Sequence, residues 1–89
     1  NMTPTNSPAA VDLESVKEVV AEHIGVPVDV AALDPQRDLY QAGLTSLATV
    51  GLMLALEERF DIEFPESMLS RGTFRTIASI SEAVAKLAR

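Results

Sequence analysis

Few side chains in this 89-residue chain could do chemistry. There is no cysteine, which excludes thiolate nucleophiles and disulfides. There is one histidine, His23, so a Ser/His pair or a histidine metal site lacks partners. The spacing places His23 near a helix end, as a partly exposed residue. Glu57 and Glu58 are adjacent, and on a helix they point about 100° apart and cannot converge on a substrate. That leaves Ser46, in Ala42-Gly43-Leu44-Thr45-Ser46-Leu47. Gly43 permits a tight turn. Thr45 is a good N-cap, its hydroxyl accepting from an early backbone N–H. Ser46 then falls at the first helical position with its hydroxyl uncommitted. The free N–H groups and positive dipole end beside it favour an attached phosphate. Taken alone, these six residues are also an ordinary helix start.

Composition narrows the setting. The formal net charge is -6 and the pI near 4.5. Such a surface is unsuited to nucleic acid, which needs clustered Lys and Arg, and suits partners with basic patches. Hydrophobic residues make up 47%, with Tyr40, Phe60, Phe64 and Phe74 the aromatics. The core must therefore be mostly aliphatic, as in packed helices. The expectation is one domain, acting as a monomer. No apolar run is long enough to span a bilayer and no signal-peptide pattern is visible, so a cytoplasmic protein without membrane insertion is expected. Asn1, ahead of Met2, is expected to be foreign to the natural chain.

Residues 1–8, with two prolines, read as a disordered tail, and residues 9–89 as the domain. A first helix is predicted from Ala9 to Ile24, with Leu13, Val16, Val20 and Ile24 as its apolar stripe and Asp12, Glu14, Lys17, Glu18 and Glu22 on its wet face. Gly25 stops it. Val26 to Thr45 is a long connection anchored by Val26, Val28, Val30, Leu33, Leu39, Tyr40 and Leu44, with a short helical turn near Val28 to Ala32. Arg37 and Asp38 read as solvated. The second helix runs from Ser46 to Arg59 with Leu47, Val50, Leu54, Leu56 and Phe60 near one side, widened by Thr49, Leu52 and Met53. It is apolar around most of its first two turns, so either both sides are covered or one meets a partner. Gly51 there costs roughly 1 kcal/mol relative to Ala, which a close approach by another chain or backbone would rationalise, as would core crowding. In Asp61-Ile62-Glu63-Phe64-Pro65 an extended segment would point Ile62 and Phe64 the same way. A short helix is predicted over Glu66–Arg71, ended by Gly72. A last one is capped by Thr76, with Ile77, Ile80, Val84 and Leu87 inward and Lys86 and Arg89 in its final turn. The fold class is all-α: a small four-helix bundle of three main helices and one short one, with a long anchored loop between the first two.

This pattern resembles the acyl carrier protein family, or phosphopantetheine-attachment domains. The resemblance rests on Asp38-Leu39-Tyr40-x-x-Gly43-Leu44-Thr45-Ser46-Leu47, on Leu54-Ala55-Leu56-Glu57-Glu58-Arg59-Phe60-Asp61-Ile62-Glu63-Phe64-Pro65, and on Thr76-Ile77. It covers about Val11 to Leu87. It implies that Ser46, flanked by Thr45 and Leu47, takes a covalent 4'-phosphopantetheine from coenzyme A. The implied protein is a non-catalytic, free-standing carrier that shuttles a thioester-bound acyl or aminoacyl group. Its implied partners are a phosphopantetheinyl transferase, an acyl- or aminoacyl-activating ligase and a downstream transferase. Two departures stand out. Thr45 replaces the usual Asp, and Ala48 and Gly51 replace early acids of the second helix, which argues against the fatty-acid synthesis enzymes that use basic patches. The Gly-Leu-Thr-Ser start is similar to that of small bacterial carriers loaded with an amino acid by a dedicated ligase.

The residues expected to dock partners are Leu47, Val50, Met53, Leu54, Glu57, Glu58, Ile62 and Phe64. Two other readings stay open. One is an unmodified helical protein–protein interaction module using an exposed face of Leu47, Met53, Ile62 and Phe64. The other is a small lipid-binding bundle with a cavity lined by Met53 and Met68.

Overall fold

The computed structural model describes residues 11–24, 29 and 32–88. The expected tail, the start of the first helix at Ala9, the Gly25 stop, the anchors Val26, Val28 and Val30, and Arg89 lie outside the described residues. Three α-helices and one 3₁₀ helix make up the regular structure of the described residues: α1 (Leu13–His23), α2 (Ser46–Phe60), the 3₁₀ helix Glu66–Met68 and α3 (Ile77–Leu87). No described helix is long and apolar enough to cross a membrane.

Helix α1 begins where Asp12, in extended conformation, accepts from the Ser15 N–H at 2.7 Å. Asp12 is thus a cap rather than part of the wet face. The Ser15 N–H, then the Ser15 hydroxyl, and the Arg59 charge hold its carboxyl below the ordinary aspartate range. Val16, Val19, Val20 and Ile24 carry the buried stripe, and Leu13, predicted inward, is exposed. Lys17, predicted on the wet face, is buried. Its long aliphatic stem suits burial while Nζ stays 3.8 Å from the exposed Glu14 carboxylate.

Helix α1 packs against both α2 and α3. The core joins its stripe to Leu52, Leu56 and Phe60 of α2 and to Ile77, Ile80, Ala83 and Val84 of α3. The two connecting segments add Leu39, Leu44, Phe64 and Phe74. Of the residues predicted near one side of α2, Leu56 and Phe60 are buried, joined by Leu52, while Leu47, Val50 and Leu54 face out. Leu52, Leu56 and Phe60 recur every four residues, whereas Leu54 sits about 200° around from Leu56 and faces out. Gly51 meets the His23 ring, whose Cδ2 would lie 3.3 Å from an added Cβ, so the close neighbour is a side chain of α1.

The connection into α2 is fastened to α3. The Leu39 N–H donates to the Arg75 carbonyl at 2.7 Å, and the Ala78 N–H to the Pro35 carbonyl at 3.0 Å. Of the short turn predicted near Val28 to Ala32, only Asp29 and Ala32 are described, and the Ala32 N–H donates to the Asp29 carbonyl. Asp38 is half-buried rather than simply solvated, and its carboxylate accepts from the Tyr40 and Gln41 N–H groups.

Past α2, Asp61 takes a left-handed conformation (φ 55°), and the chain runs without regular structure to Pro65, which is extended. Phe64 and Phe74 pack with ring centroids 5.4 Å apart. The helix predicted over Glu66–Arg71 is a single 3₁₀ turn, and the chain turns again over 71–74. Thr76 caps α3 in a reciprocal arrangement with Ser79.

Leu52→Ala is expected to cost about 3 kcal/mol through the cavity it leaves. Leu54→Ala, on the outward face, should cost under about 0.5 kcal/mol. Urea titrations of the two variants measure the difference.

Candidate functional site

Ser46 owes its position to a closed turn. The Asp38 carboxylate starts it, the Ala42 N–H donates to the Asp38 and Leu39 carbonyls, and the Leu44 N–H returns to the Leu39 carbonyl at 2.9 Å. Gly43, at φ 124°, occupies a conformation that side chains rarely adopt. Leu39 and Leu44, both buried, pin the two ends of the turn into the core. The next residue, Thr45, is the N-cap of α2, and its Oγ1 accepts from the Ala48 N–H at 3.0 Å. Its carbonyl accepts from the Thr49 N–H and the Thr49 hydroxyl. Ser46 is therefore the first residue of α2, exposed, with the cap supplied by its neighbour. The first turn of α2 carries no acidic residue. An anion attached there would meet helical N–H groups and the positive end of the dipole.

Ser46 also lines the mouth of an open cleft of about 390 Å³. Its lining also includes Tyr40, Thr49, Val50 and Met53, together with Leu69, Ser70, Arg71 and Phe74. The Arg71 guanidinium carbon lies 3.8 Å from the centre of the Tyr40 ring. Of the two methionines expected to line a cavity, Met53 does so, while Met68 packs against the core.

The structure brings together only some of the expected docking residues. Leu47, Val50 and Leu54 are 84%, 52% and 55% exposed. At i, i+3 and i+7 they form one outward stripe, with exposed Glu58 one turn further along. Met53 is half-buried at the edge of this face. Three residues depart from the expectation. Phe64 is 5% exposed, because its ring pairs with Phe74 inside the core, so it adds nothing to an exposed face. Ile62 is half-buried against the core, as its shared direction with Phe64 requires. Glu57 is half-buried, and its carboxylate accepts from the Phe64 N–H at 2.9 Å, fixing the exit from α2. His23 is half-buried as expected, its Nδ1 hydrogen-bonded to the Val19 carbonyl.

Tyr40 was visible in sequence as a loop anchor and as part of the Asp38-Leu39-Tyr40 motif, and Arg71 only as the last residue of the predicted short helix. Their pairing beside Ser46 carries no local signal, because it joins two connections far apart in the chain.

A small helical body thus presents one hydroxyl at a helix start, on the rim of an apolar cleft. The family profile described as "Phosphopantetheine attachment site" matches residues 14–84. The chain belongs to that family, the acyl carrier proteins, and is similar to its aminoacyl carrier branch. It is 43% identical over 70 residues to an aminoacyl carrier protein of Agrobacterium fabrum, covering 79% of this chain and 84% of that one. An acyl carrier protein of Campylobacter lari is 41% identical over 54 residues, covering 61% of this chain and 69% of the relative. Among solved structures, one similar chain is the Agrobacterium tumefaciens carrier protein, crystallised with an engineered Bradyrhizobium japonicum glycine:[carrier protein] ligase and AMP. It has a TM-score of 0.76 at 41% identity, with 82% of this chain and 97% of that one covered. Another is the glycylated carrier protein bound to the Bradyrhizobium japonicum ligase, with a TM-score of 0.70 at 27% identity, covering 80% and 95%.

The two adjacent hydroxyls should separate cleanly in thermal unfolding. Thr45→Ala is expected to cost about 1 kcal/mol, the value of an N-cap. Ser46→Ala should cost well under that, since its hydroxyl supports no cap.

Proposed function

We propose that this protein is a free-standing, non-catalytic carrier that bears 4'-phosphopantetheine on Ser46 and shuttles an aminoacyl group between partner enzymes. The observation that carries the reading is the exposed Ser46 hydroxyl, left uncommitted by the Thr45 cap. The surroundings fit the group: its phosphate would face backbone N–H groups and an acid-free first turn, and its arm would start beside an open cleft that Ser46 helps to line. When attached, the arm supplies the thiol that a chain without cysteine lacks. The protein's share is to hold and present it. The aminoacyl cargo is favoured over fatty acyl or polyketide groups by the Agrobacterium relative and by the carriers solved with glycine ligases.

Phosphopantetheinyl transferase would attach the arm, an aminoacyl-activating ligase would load it, and a downstream transferase would unload it. The face best suited to the ligase is the stripe Leu47, Val50 and Leu54. It is apolar, outward and next to Ser46, and burying it against a partner would stabilise the complex.

Incubating the protein with coenzyme A and a broad-specificity phosphopantetheinyl transferase should add the mass of one arm to the native chain and none to Ser46→Ala. An unchanged native mass would sink the reading. Leu47→Asp and Leu54→Asp should each lower kcat/KM for loading by an aminoacyl-activating ligase at least about tenfold, the weight of an interface anchor. Melting temperature should shift by no more than about 2 °C, because both side chains already face water.

A further inference from the structure

The cleft beside Ser46 combines two properties that bear on what the arm can carry into it. Its walls are mainly apolar, with Tyr40, Val50, Met53, Leu69 and Phe74, and among its lining residues Arg71 bears the charge. Arg71 is exposed, but its guanidinium has a ring partner. It is seated 3.8 Å over the Tyr40 ring, and Tyr40 is held by the Asp38 carboxylate at its N–H and by the core around it. Stacking of this kind draws a guanidinium to the ring face. Among the described residues no carboxylate lines the cleft to balance a second cation.

We propose that Arg71, seated on Tyr40, is a cargo-discriminating residue: it keeps cationic aminoacyl ends out of the cleft, whereas uncharged acyl ends enter it. An ammonium group inside would lose water, meet a like charge and find no counter-ion. A hydrocarbon end would meet apolar walls and lose only its contact with water. An aminoacyl group is therefore left in solvent, available to the next enzyme. The inference rests on the carrier reading, with the arm on Ser46.

The test uses the full chain, isotope-labelled and loaded on Ser46 by a transferase. The donors are coenzyme A, or analogues ending in a hydrolysis-stable glycyl or hexanoyl amide, and loading is verified by mass. Relative to the arm alone, the hexanoyl form should move the Met53 methyl and Phe74 ring resonances, and the glycyl form should leave them unchanged. Arg71→Glu, an exposed substitution that supplies a counter-ion, should let the glycyl form move them too. Native protein in which both cargoes move these resonances equally, or neither does, would overturn the inference while leaving the carrier reading standing. So would an Arg71→Glu variant whose glycyl form still leaves them unmoved. Failure of Ser46 to gain any arm would overturn the carrier reading, and the inference with it.

Discussion

Everything at the site depends on how the start of α2 is held. A helix N-terminus is normally free to fray, since its first N–H groups have no partners within the helix. Here the turn before it is closed by the Leu44 N–H on the Leu39 carbonyl and sealed by burial of both leucines. The same turn is tied to the start of α3 through Leu39 and Arg75. The residue that carries the exposed hydroxyl is therefore mounted on the core, although it points away from it. Gly43 makes the closure possible, because a side chain at its φ of 124° would be strained.

The second constraint is the one-sided burial of α2. Helix α1 sits against both α2 and α3, and the chain between α2 and α3 contributes Phe64 and Phe74 to the core. Glu57 holds that segment by accepting from the Phe64 N–H, and the left-handed Asp61 turns it back. An ion pair between Arg59 and Glu18 at 3.2 Å closes the α1–α2 contact at its far end. What remains uncovered is the opposite face of α2, together with the gap between α2 and residues 69–74 that forms the cleft. Both features arise because α2 is apolar nearly all round while its neighbours cover only one side.

Much of this was legible in the sequence. Helix type and order, the Thr45 and Thr76 caps and the position of Ser46 follow from local signals that tertiary contacts do not override. The buried face of α2 did so only for Leu56 and Phe60. With apolar residues at 47, 50, 52, 53, 54 and 56, several stripes are equally consistent with periodicity, and packing against α1 selects among them. The roles of Lys17, Glu57 and Phe64 were missed for a related reason. A long stem can be buried beneath its charge, an acid can cap a chain exit, and an aromatic in an acidic run can turn inward to meet another. The Tyr40–Arg71 pair joins two connections, and no periodicity relates them.

The distribution of charge on α2 bears on how such a carrier is recognised. Thr45 caps as Asp would, through an oxygen on the Ala48 N–H, but it brings no carboxylate beside Ser46. The acids of α2 begin at Glu57, eleven residues on, or about 16 Å along the axis at 1.5 Å per residue. That exceeds the screening length of about 8 Å at physiological ionic strength. The acids of α2 therefore contribute little field at the serine or at the negative charge of a phosphate attached there. The surface next to Ser46 is hydrocarbon instead: Leu47, Val50 and Leu54. Charge complementarity acts at a distance and fades with salt, whereas apolar burial acts only on contact and depends on shape. A partner that recognises this end of α2 must match the stripe sterically, and one built around a basic patch finds its acids at the wrong end of the helix.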